Sequence, residues 1–234
     1  YQRPEGSVTL IAASKTRSAT VILEAYRQSL RHFGENYLSE ALEKIQSAEL
    51  KPHRGELNWH FIGPIQSNKT RAIVEHFDWV HSVDRLKIAR RLSDQRPEAS
   101  APLNVCIQCN FEAESSKAGV STMDELNELA QAIAKLPKLQ LRGLMAIPSP
   151  GSDVEQRGKF RQITDAFERL KQHHSGIDTL SMGMSSDLEA AIAEGSTQVR
   201  SEELTTVRAL ALLHHNPLLR RKPIALRNVT QPLP

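Results

Sequence analysis

Apolar runs alternate with helix-period segments along most of this chain. The run at 8–13 is short and continuous, as in a buried strand, and segment 18–30 carries apolar residues at helical spacing. Further strand-like runs follow at 33–34, 57–62, 79–83, 103–109, 139–147 and 179–182, and an eighth begins at 198. The helix-period segments between them are 37–48, 67–77, 84–92, 121–135, 154–173 and 187–193. Strands that alternate with helices in this way predict a parallel sheet.

Eight predicted strands within about 200 residues indicate a single closed (β/α)8 barrel of the TIM type, near the lower size limit of that fold. A doubly wound open sheet is the structural alternative. The segment 121–135 is the strongest helix prediction, with Ser121 as its N-cap and two acidic residues, Asp124 and Glu125, in its first turns. We therefore expect one barrel domain over residues 1–200.

The last part of the chain, from 201 to 234, has a different composition. It contains no aromatic residue, has four prolines within its last 18 positions, and carries more arginine than acidic residues. This pattern predicts at most one helix, over 202–215, followed by a basic and loosely ordered tail.

Composition narrows the function classes. The chain has 234 residues, of which 39% are hydrophobic and 24% charged, and no window approaches 18 uninterrupted apolar residues, so we expect no membrane span. The net charge of +3 is too weak to indicate nucleic-acid binding. The two cysteines, Cys106 and Cys109, exclude a disulfide framework and favour a cytoplasmic protein; their spacing within a strand predicts that they face opposite sides.

In a barrel of this kind, functional sites form at the carboxyl ends of the strands. Lys15 directly follows the first predicted strand, and partial burial there would lower the pKa of its amine and make it a nucleophile toward an aldehyde; a surface lysine is the alternative. The hydroxyl-rich segment 181–186 opens a helix and suits a phosphate, although Ser185 or Ser186 could equally be a helix cap. Arg200 ends the eighth strand and could bind a phosphate or a ring nitrogen. His60 lies within the third strand, where a structural role is favoured over a catalytic one.

These residues stand in a recognisable set of motifs. Ala-Ser-Lys-Thr at 13–16, Phe-Gly-Glu-Asn-Tyr at 33–37 and Trp-His-Phe-Ile-Gly-Pro-Ile-Gln-Ser-Asn-Lys at 59–69 occur in that order. Leu-Arg-Gly-Leu-Met-Ala-Ile at 141–147 and Leu-Ser-Met-Gly-Met-Ser-Ser-Asp at 180–187 follow. From about residue 8 to residue 200, the chain closely resembles the pyridoxal phosphate homeostasis proteins, the YggS or PROSC family of proteins that bind pyridoxal 5'-phosphate (PLP).

The resemblance implies a barrel like the cofactor domain of alanine racemase and assigns a role to individual residues. Lys15 would hold PLP as an internal aldimine, Asn36 and Met145 would line the cofactor pocket, and His60 would lie near it. Ser181 would bind the phosphate, and Arg200 would face the cofactor ring or its phosphate. The resemblance implies no catalytic residue and no metal.

As to function, the resemblance implies a non-catalytic protein that binds PLP, passes it to PLP-dependent apoenzymes and influences amino-acid and keto-acid balance. We expect a monomer. The alternative is a racemase- or lyase-like PLP enzyme, although a racemase needs acid–base groups on both faces of the substrate carbon and no second base is evident. A protein that has lost its cofactor site is a third reading.

The chain departs from the family at both ends. After the matched arginine the family continues with Ile-Gly-Thr, which supplies much of the phosphate site, whereas here Arg200 is followed by Ser201, Glu202 and Glu203. Two carboxylates beside a phosphate would repel it, so we expect weaker PLP binding and a less well closed barrel. At the front, the helix that usually precedes the first strand is absent from this sequence, which suggests a truncated start.

Overall fold

The structure is a computed structural model that describes residues 3–4 and 6–202. Eight parallel strands close into a barrel in which each strand pairs with the next along the chain and β8 returns to β1. The strands are β1 (Thr9–Ala13), β2 (His32–Glu35), β3 (Asn58–Phe61), β4 (Trp79–Val83), β5 (Leu103–Cys109), β6 (Leu139–Ala146), β7 (Thr179–Ser181) and β8 (Gln198–Ser201). The predicted barrel is confirmed, and the open sheet is wrong.

Helices connect the strands and cover the outside of the barrel. They are α1 (Ala19–Arg27), α2 (Leu38–Ile45), α3 (Thr70–His76), α4 (Leu86–Gln95), α5 (Met123–Ile133), α6 (Asp153–His173) and α7 (Leu188–Ala193). Two short 3-10 helices lie at Lys51–His53 and Ser67–Lys69. Each helix predicted before residue 200 therefore exists, with ends that differ by a few residues.

The start of α5 corrects one prediction. Its N-cap is Thr122 rather than Ser121: the Thr122 hydroxyl accepts from the Glu125 backbone N–H, and the Glu125 carboxylate accepts from the Thr122 backbone N–H. Ser121 lies one residue outside the helix and donates its hydroxyl to the same Glu125 carboxylate. Thr122 and Glu125 thus each accept a hydrogen bond from the other's backbone N–H, two groups that would otherwise lack a partner at the helix start. The helix therefore begins one residue later than a Ser121 cap implies.

The residues that follow Arg200, which depart from the family pattern and which we call the altered end, do not open the barrel. β8 pairs with β1 over four residues, from Thr9 opposite Gln198 to Ala12 opposite Ser201. Its pairing with β7 is much shorter, a single register pair between Ser181 and Gln198. The expectation of a poorly closed barrel is therefore wrong for the strands themselves, although the β7–β8 edge is the shortest pairing in the sheet. The predicted helix over 202–215 and the basic tail lie, beyond Glu202, outside the described residues.

The main hydrophobic core lies between the outer faces of the strands and the helices. Strand residues such as Phe33, Trp59 and Leu144 share it with helix residues such as Phe160 and Leu170. A second cluster of Trp79, Cys106 and Met145 fills part of the barrel interior, separate from the first. Cys109 belongs to the outer core, so the two cysteines do face opposite sides. In the described part of the chain, no helix has both the length and the apolar character needed to cross a membrane.

Candidate functional site

Lys15 lies at the carboxyl end of β1, in the turn that follows the strand. Strand alternation places its neighbour Ser14 toward the outer layer, where the Ser14 hydroxyl contacts Glu35, and leaves Lys15 at the mouth of the barrel. The Lys15 side chain is one-third exposed, and its Nζ lies 2.6 Å from Oε1 of Glu202. The amine is thus accessible, and an acidic residue from the altered end is its ion-pair partner.

Asn36 directly follows β2, the strand that pairs with β1, so it lies at the same end of the barrel. It is half-buried, and its backbone packs against Gly63 in the turn after β3. A Cβ added at Gly63 would lie 2.2 Å from the Asn36 carbonyl oxygen, so only glycine permits this close approach. The predicted pocket residue Asn36 is therefore fixed at the rim by backbone packing.

His60 lies fully buried inside the barrel, as part of a hydrogen-bonded chain of three histidines. His32 Nδ1 lies 2.9 Å from His60 Nε2, and His60 Nδ1 lies 2.9 Å from His81 Nε2. His81 Nδ1 in turn lies 2.8 Å from the Ser181 hydroxyl. The chain crosses the interior from β2 to β7, and it engages both ring nitrogens of His60, which favours the structural interpretation of that residue.

The three imidazoles are neutral at physiological pH. Burial, with smaller contributions from His81 and His32, holds the pKa of His60 well below its ordinary value. Burial and the nearby Arg200 charge lower the pKa of His81 to about 3, and burial lowers the pKa of His32. A neutral imidazole has one donor and one acceptor, so the chain can be satisfied without any charge in the interior.

Met145 is fully buried and packs with Trp79 and Cys106 in the interior cluster. The Arg142 guanidinium lies 4.8 Å from the centre of the Trp79 ring, on the interior side of β6. Burial raises the pKa of both cysteine thiols, which makes them unreactive. These side chains give part of the interior beneath the mouth an apolar floor.

Arg200 points into the interior from β8 and is 4% exposed. One guanidinium nitrogen donates to the Ala146 carbonyl at 2.9 Å, but its Nε has no hydrogen-bond partner in the part of the chain that the structure describes. Burial lowers the pKa of Arg200 to about 10, so the group remains charged at neutral pH. A buried cationic donor without a partner is costly and indicates a binding site for an acceptor.

The hydroxyls of 181–186 do not act together. Ser181 is fully buried and bonded to His81, whereas Ser185 is exposed at the rim, where its Oγ lies 3.4 Å from Ser201 Oγ and from the Glu202 backbone nitrogen. Neither Ser185 nor Ser186 caps α7, because its N-cap is Asp187, whose carboxylate accepts from the Met184 N–H. The capping interpretation is wrong, and Ser185 is the hydroxyl of this segment that lies beside the residues following Arg200.

The structure thus brings Lys15, Glu202 and Ser185 together at the rim, above an interior that holds Arg200, His60, Met145 and Ser181. An amine, an unpartnered guanidinium donor and a rim hydroxyl fit a ligand with an aldehyde, an acceptor and a phosphate, which are the groups of PLP. Glu202 opposes that fit, because it already occupies the amine. Within residues 3–4 and 6–202 no group of three or more His, Cys, Asp and Glu side chains could hold a metal ion.

Comparisons with known proteins agree on fold and family. Residues 5–201 match the family model described as alanine racemase, N-terminal domain. The chain is 54% identical over 199 residues to the pyridoxal phosphate homeostasis protein of Escherichia coli K12, covering 85% of this chain and 84% of that protein. It is 57% identical to the protein of the same name from Pseudomonas aeruginosa, again over 199 residues, covering 85% of this chain and 83% of that protein.

Solved structures give the same result. PipY of Synechococcus elongatus PCC7942, in a structure with PLP bound, is 40% identical, with a TM-score of 0.76 over 86% of this chain and 92% of that chain. Alanine racemase of Oenococcus oeni matches with 16% identity and a TM-score of 0.57, covering 84% of this chain and 51% of that one. This second likeness shows the shared barrel fold alone.

Proposed function

The chain belongs to the pyridoxal phosphate homeostasis protein family, and from that membership we propose that it binds PLP covalently on Lys15 without catalysing turnover. In this role it holds the cofactor and passes it to PLP-dependent apoenzymes within the cell, and it thereby influences amino-acid and keto-acid balance. The observation that carries the proposal is the accessible Lys15 amine at the carboxyl end of β1, together with the buried Arg200, whose Nε has no hydrogen-bond partner among the described residues.

When bound, PLP would supply an aldehyde carbon, and the neutral Lys15 amine would hold it covalently, with the aldehyde oxygen lost as water. For this step Lys15 must release its proton and its ion pair with Glu202 at 2.6 Å. Since both partners are partly exposed, the pair stabilises the free protein only modestly and can be displaced. Glu202 therefore competes with the cofactor for the amine without preventing binding.

Arg200 is the group best suited to the aromatic part of the ligand. Its guanidinium is donor-only, so its partner must be an acceptor, such as an unprotonated ring nitrogen or a phosphate oxygen. At the rim, we assign the phosphate to Ser185 rather than to Ser181, because Ser181 is fully buried and already bonded to His81 at 2.8 Å. We further propose that Asn36 lines the pocket at the rim and that Met145 lines it in the floor.

No histidine or cysteine of the described chain is placed to act as a second base at the mouth, and this supports the proposed absence of turnover. Racemisation requires acid–base groups on both faces of the substrate carbon. The three histidines are neutral and bonded to one another, with His60 and His81 fully buried and His32 half-buried, so they do not face a substrate at the mouth. Lys15 serves one face, and no described histidine or cysteine at the mouth serves the other.

The test is a spectroscopic titration of the purified protein with PLP. We expect the visible absorption of a PLP Schiff base in the wild-type protein and in Lys69→Ala, which removes an exposed lysine elsewhere on the barrel. Lys15→Ala should show no such band. A band of wild-type intensity in Lys15→Ala would refute the assignment, and Lys15-dependent racemisation of an amino acid would move the protein to the enzyme class.

A further inference from the structure

Lys15 stands in the middle of a strained turn. The Arg17 N–H donates to the Ser14 carbonyl at 3.0 Å, which closes a turn with Lys15 and Thr16 at its centre. Thr16 has a φ of +62°, in the left-handed region that β-branched residues rarely adopt. Such a conformation persists only where the surrounding structure imposes it, and it occurs preferentially at functional sites.

The surrounding structure here is a cluster of three charged residues, Glu35, Glu40 and Lys44, which we call the clamp. Lys44 Nζ lies 2.8 Å from Glu35 Oε1 and 2.6 Å from Glu40 Oε1. The Glu35 and Lys44 side chains are 0% and 6% exposed, respectively, whereas Glu40 is about one-third exposed. The cluster is therefore a largely buried ion network between β2 and α2.

The clamp contacts the chain on both sides of Lys15. Lys44 Nζ donates to the Ser14 carbonyl at 2.7 Å, and the Ser14 hydroxyl donates to Glu35 Oε1 at 2.5 Å. On the other side, the Thr16 backbone N–H donates to Glu40 Oε1 at 2.5 Å. The residue before Lys15 and the residue after it are thus each fixed by hydrogen bonds to charged groups, which are the strongest kind.

We propose that Glu35, Glu40 and Lys44 are positioning residues that hold the Ser14–Arg17 turn in its strained form and so aim the Lys15 amine at the barrel mouth. None of the three reaches the mouth itself, since their bonds are to Ser14, to Thr16 and to one another. The inference rests on the proposed function, in which Lys15 is the amine that binds PLP.

Glu40 offers the sharpest test, because it is partly exposed and its loss leaves the buried Glu35–Lys44 pair intact. In Glu40→Ala the Thr16 amide loses its acceptor, so its hydrogen-exchange protection should disappear. PLP affinity should fall roughly 10- to 100-fold, because an amine that is no longer held in position must be ordered when the ligand binds. Glu40→Gln retains an acceptor oxygen and should retain most of both the protection and the affinity.

A second variant separates positioning from general stability. Glycine adopts a positive φ without strain, so Thr16→Gly introduced into Glu40→Ala should recover part of the lost PLP affinity. The matched control is Glu112→Ala. Glu112 accepts from the Ser149 backbone N–H at 2.8 Å and pairs with Lys159 at 3.0 Å, which is the same chemistry away from Lys15. This control should leave PLP affinity unchanged.

The outcomes distinguish the clamp from the proposed function. Wild-type PLP affinity in a folded Glu40→Ala protein whose Thr16 amide exchanges freely would overturn the clamp and leave the function standing. If the wild-type protein binds no PLP, the function fails, and the clamp is judged on exchange alone. In that case, Thr16 protection that is lost in Glu40→Ala and kept in Glu40→Gln supports it, and an unprotected wild-type Thr16 overturns it.

Discussion

The two sides of the barrel mouth that flank Lys15 are held together in different ways. On the β1–β2 side, Ser14 and Thr16 are bonded at 2.5–2.7 Å to the largely buried clamp. On the β7–β8 side, Ser185 contacts Ser201 and Glu202 at 3.4 Å in each case, and the Glu202 side chain is nearly half exposed. The β7–β8 pairing is also a single register pair.

This difference indicates that the β1–β2 side of the site is preorganised. The side that presents the amine is fixed before any ligand arrives, so it loses little conformational freedom on binding. The side assigned to the phosphate is looser and carries the carboxylate of Glu202. We therefore expect the identity of the labelled lysine to be insensitive to changes at the β7–β8 side, and the affinity to be sensitive to them.

The largest effect should come from acid, which acts on the histidine chain that connects the two sides. The pKa of His81 is about 3 in the folded protein, below the ordinary 6.5, because of burial and the Arg200 charge. Between these values the unfolded chain binds more protons, so the free energy of unfolding falls as pH falls below 6.5. Each histidine contributes up to about 1.4 kcal/mol per pH unit.

The measurement is the free energy of unfolding by denaturant at several pH values between 6.5 and 4. In His81→Asn the free energy of unfolding should change less steeply with pH, because the buried imidazole is gone. The difference in slope should correspond to at most one proton taken up on unfolding. His173→Asn, which replaces an exposed histidine at the end of α6, is the control and should keep the wild-type slope. Equal slopes in wild type and His81→Asn would show that the interior chain does not carry the acid sensitivity.

A smaller effect is expected from a substitution at Gly63, which disturbs the backbone packing of the β2–β3 part of the rim. An added Cβ would lie 2.2 Å from the Asn36 carbonyl oxygen and 2.8 Å from its Cα, both of which are backbone atoms that cannot simply rotate away. Gly63→Ala should lower the free energy of unfolding by about 1–3 kcal/mol and weaken PLP binding. Gly55→Ala, where the Cβ meets nothing within 4 Å, should change neither. A Gly63→Ala protein as stable as wild type would contradict the packing argument.

The smallest effect should come from releasing Lys15 at the looser side. Glu202→Gln removes the charge that pairs with the amine, and a partly exposed ion pair contributes about 0.2–1 kcal/mol, so PLP affinity should rise about 1.4- to fivefold. Glu98→Gln removes the charge from an exposed pair with Lys138, away from the mouth, and is the control. Equal or weaker PLP affinity in Glu202→Gln would mean that Glu202 does not compete for Lys15.

Much of the fold could be predicted from the hydrophobic pattern. The predicted runs at 79–83 and 103–109 coincide with β4 and β5, because most residues of both strands are apolar and buried. The error at α5 was local: Thr122 and Glu125 have the capping-box spacing, whereas Ser121 and Glu125 do not. The spacing of Thr122 and Glu125 is therefore the feature of the sequence that marks the helix start.

The site was less predictable, because its contacts join distant parts of the chain. Lys15 and Arg200 could be located as strand-end residues, but His32 and His81 were missed. They bond to His60 across 28 and 21 residues of sequence, respectively. The sequence indicates them only through the alternation of side chains along each strand, which places one set of residues inside the barrel. Glu40 and Lys44 have the i, i+4 spacing of a helix pair, yet their contact with Glu35 and the turn around Lys15 appears only once β2 and α2 are packed.

The most direct test of the account is to locate the bound cofactor in the wild-type protein. PLP is added at a low molar ratio, the Schiff base is reduced with borohydride, and the labelled peptide is identified by mass spectrometry. The account predicts one label, on Lys15, both in the wild-type protein and in Glu202→Gln. A label on Lys69, or one distributed over exposed lysines while Lys15 stays unmodified, would contradict it.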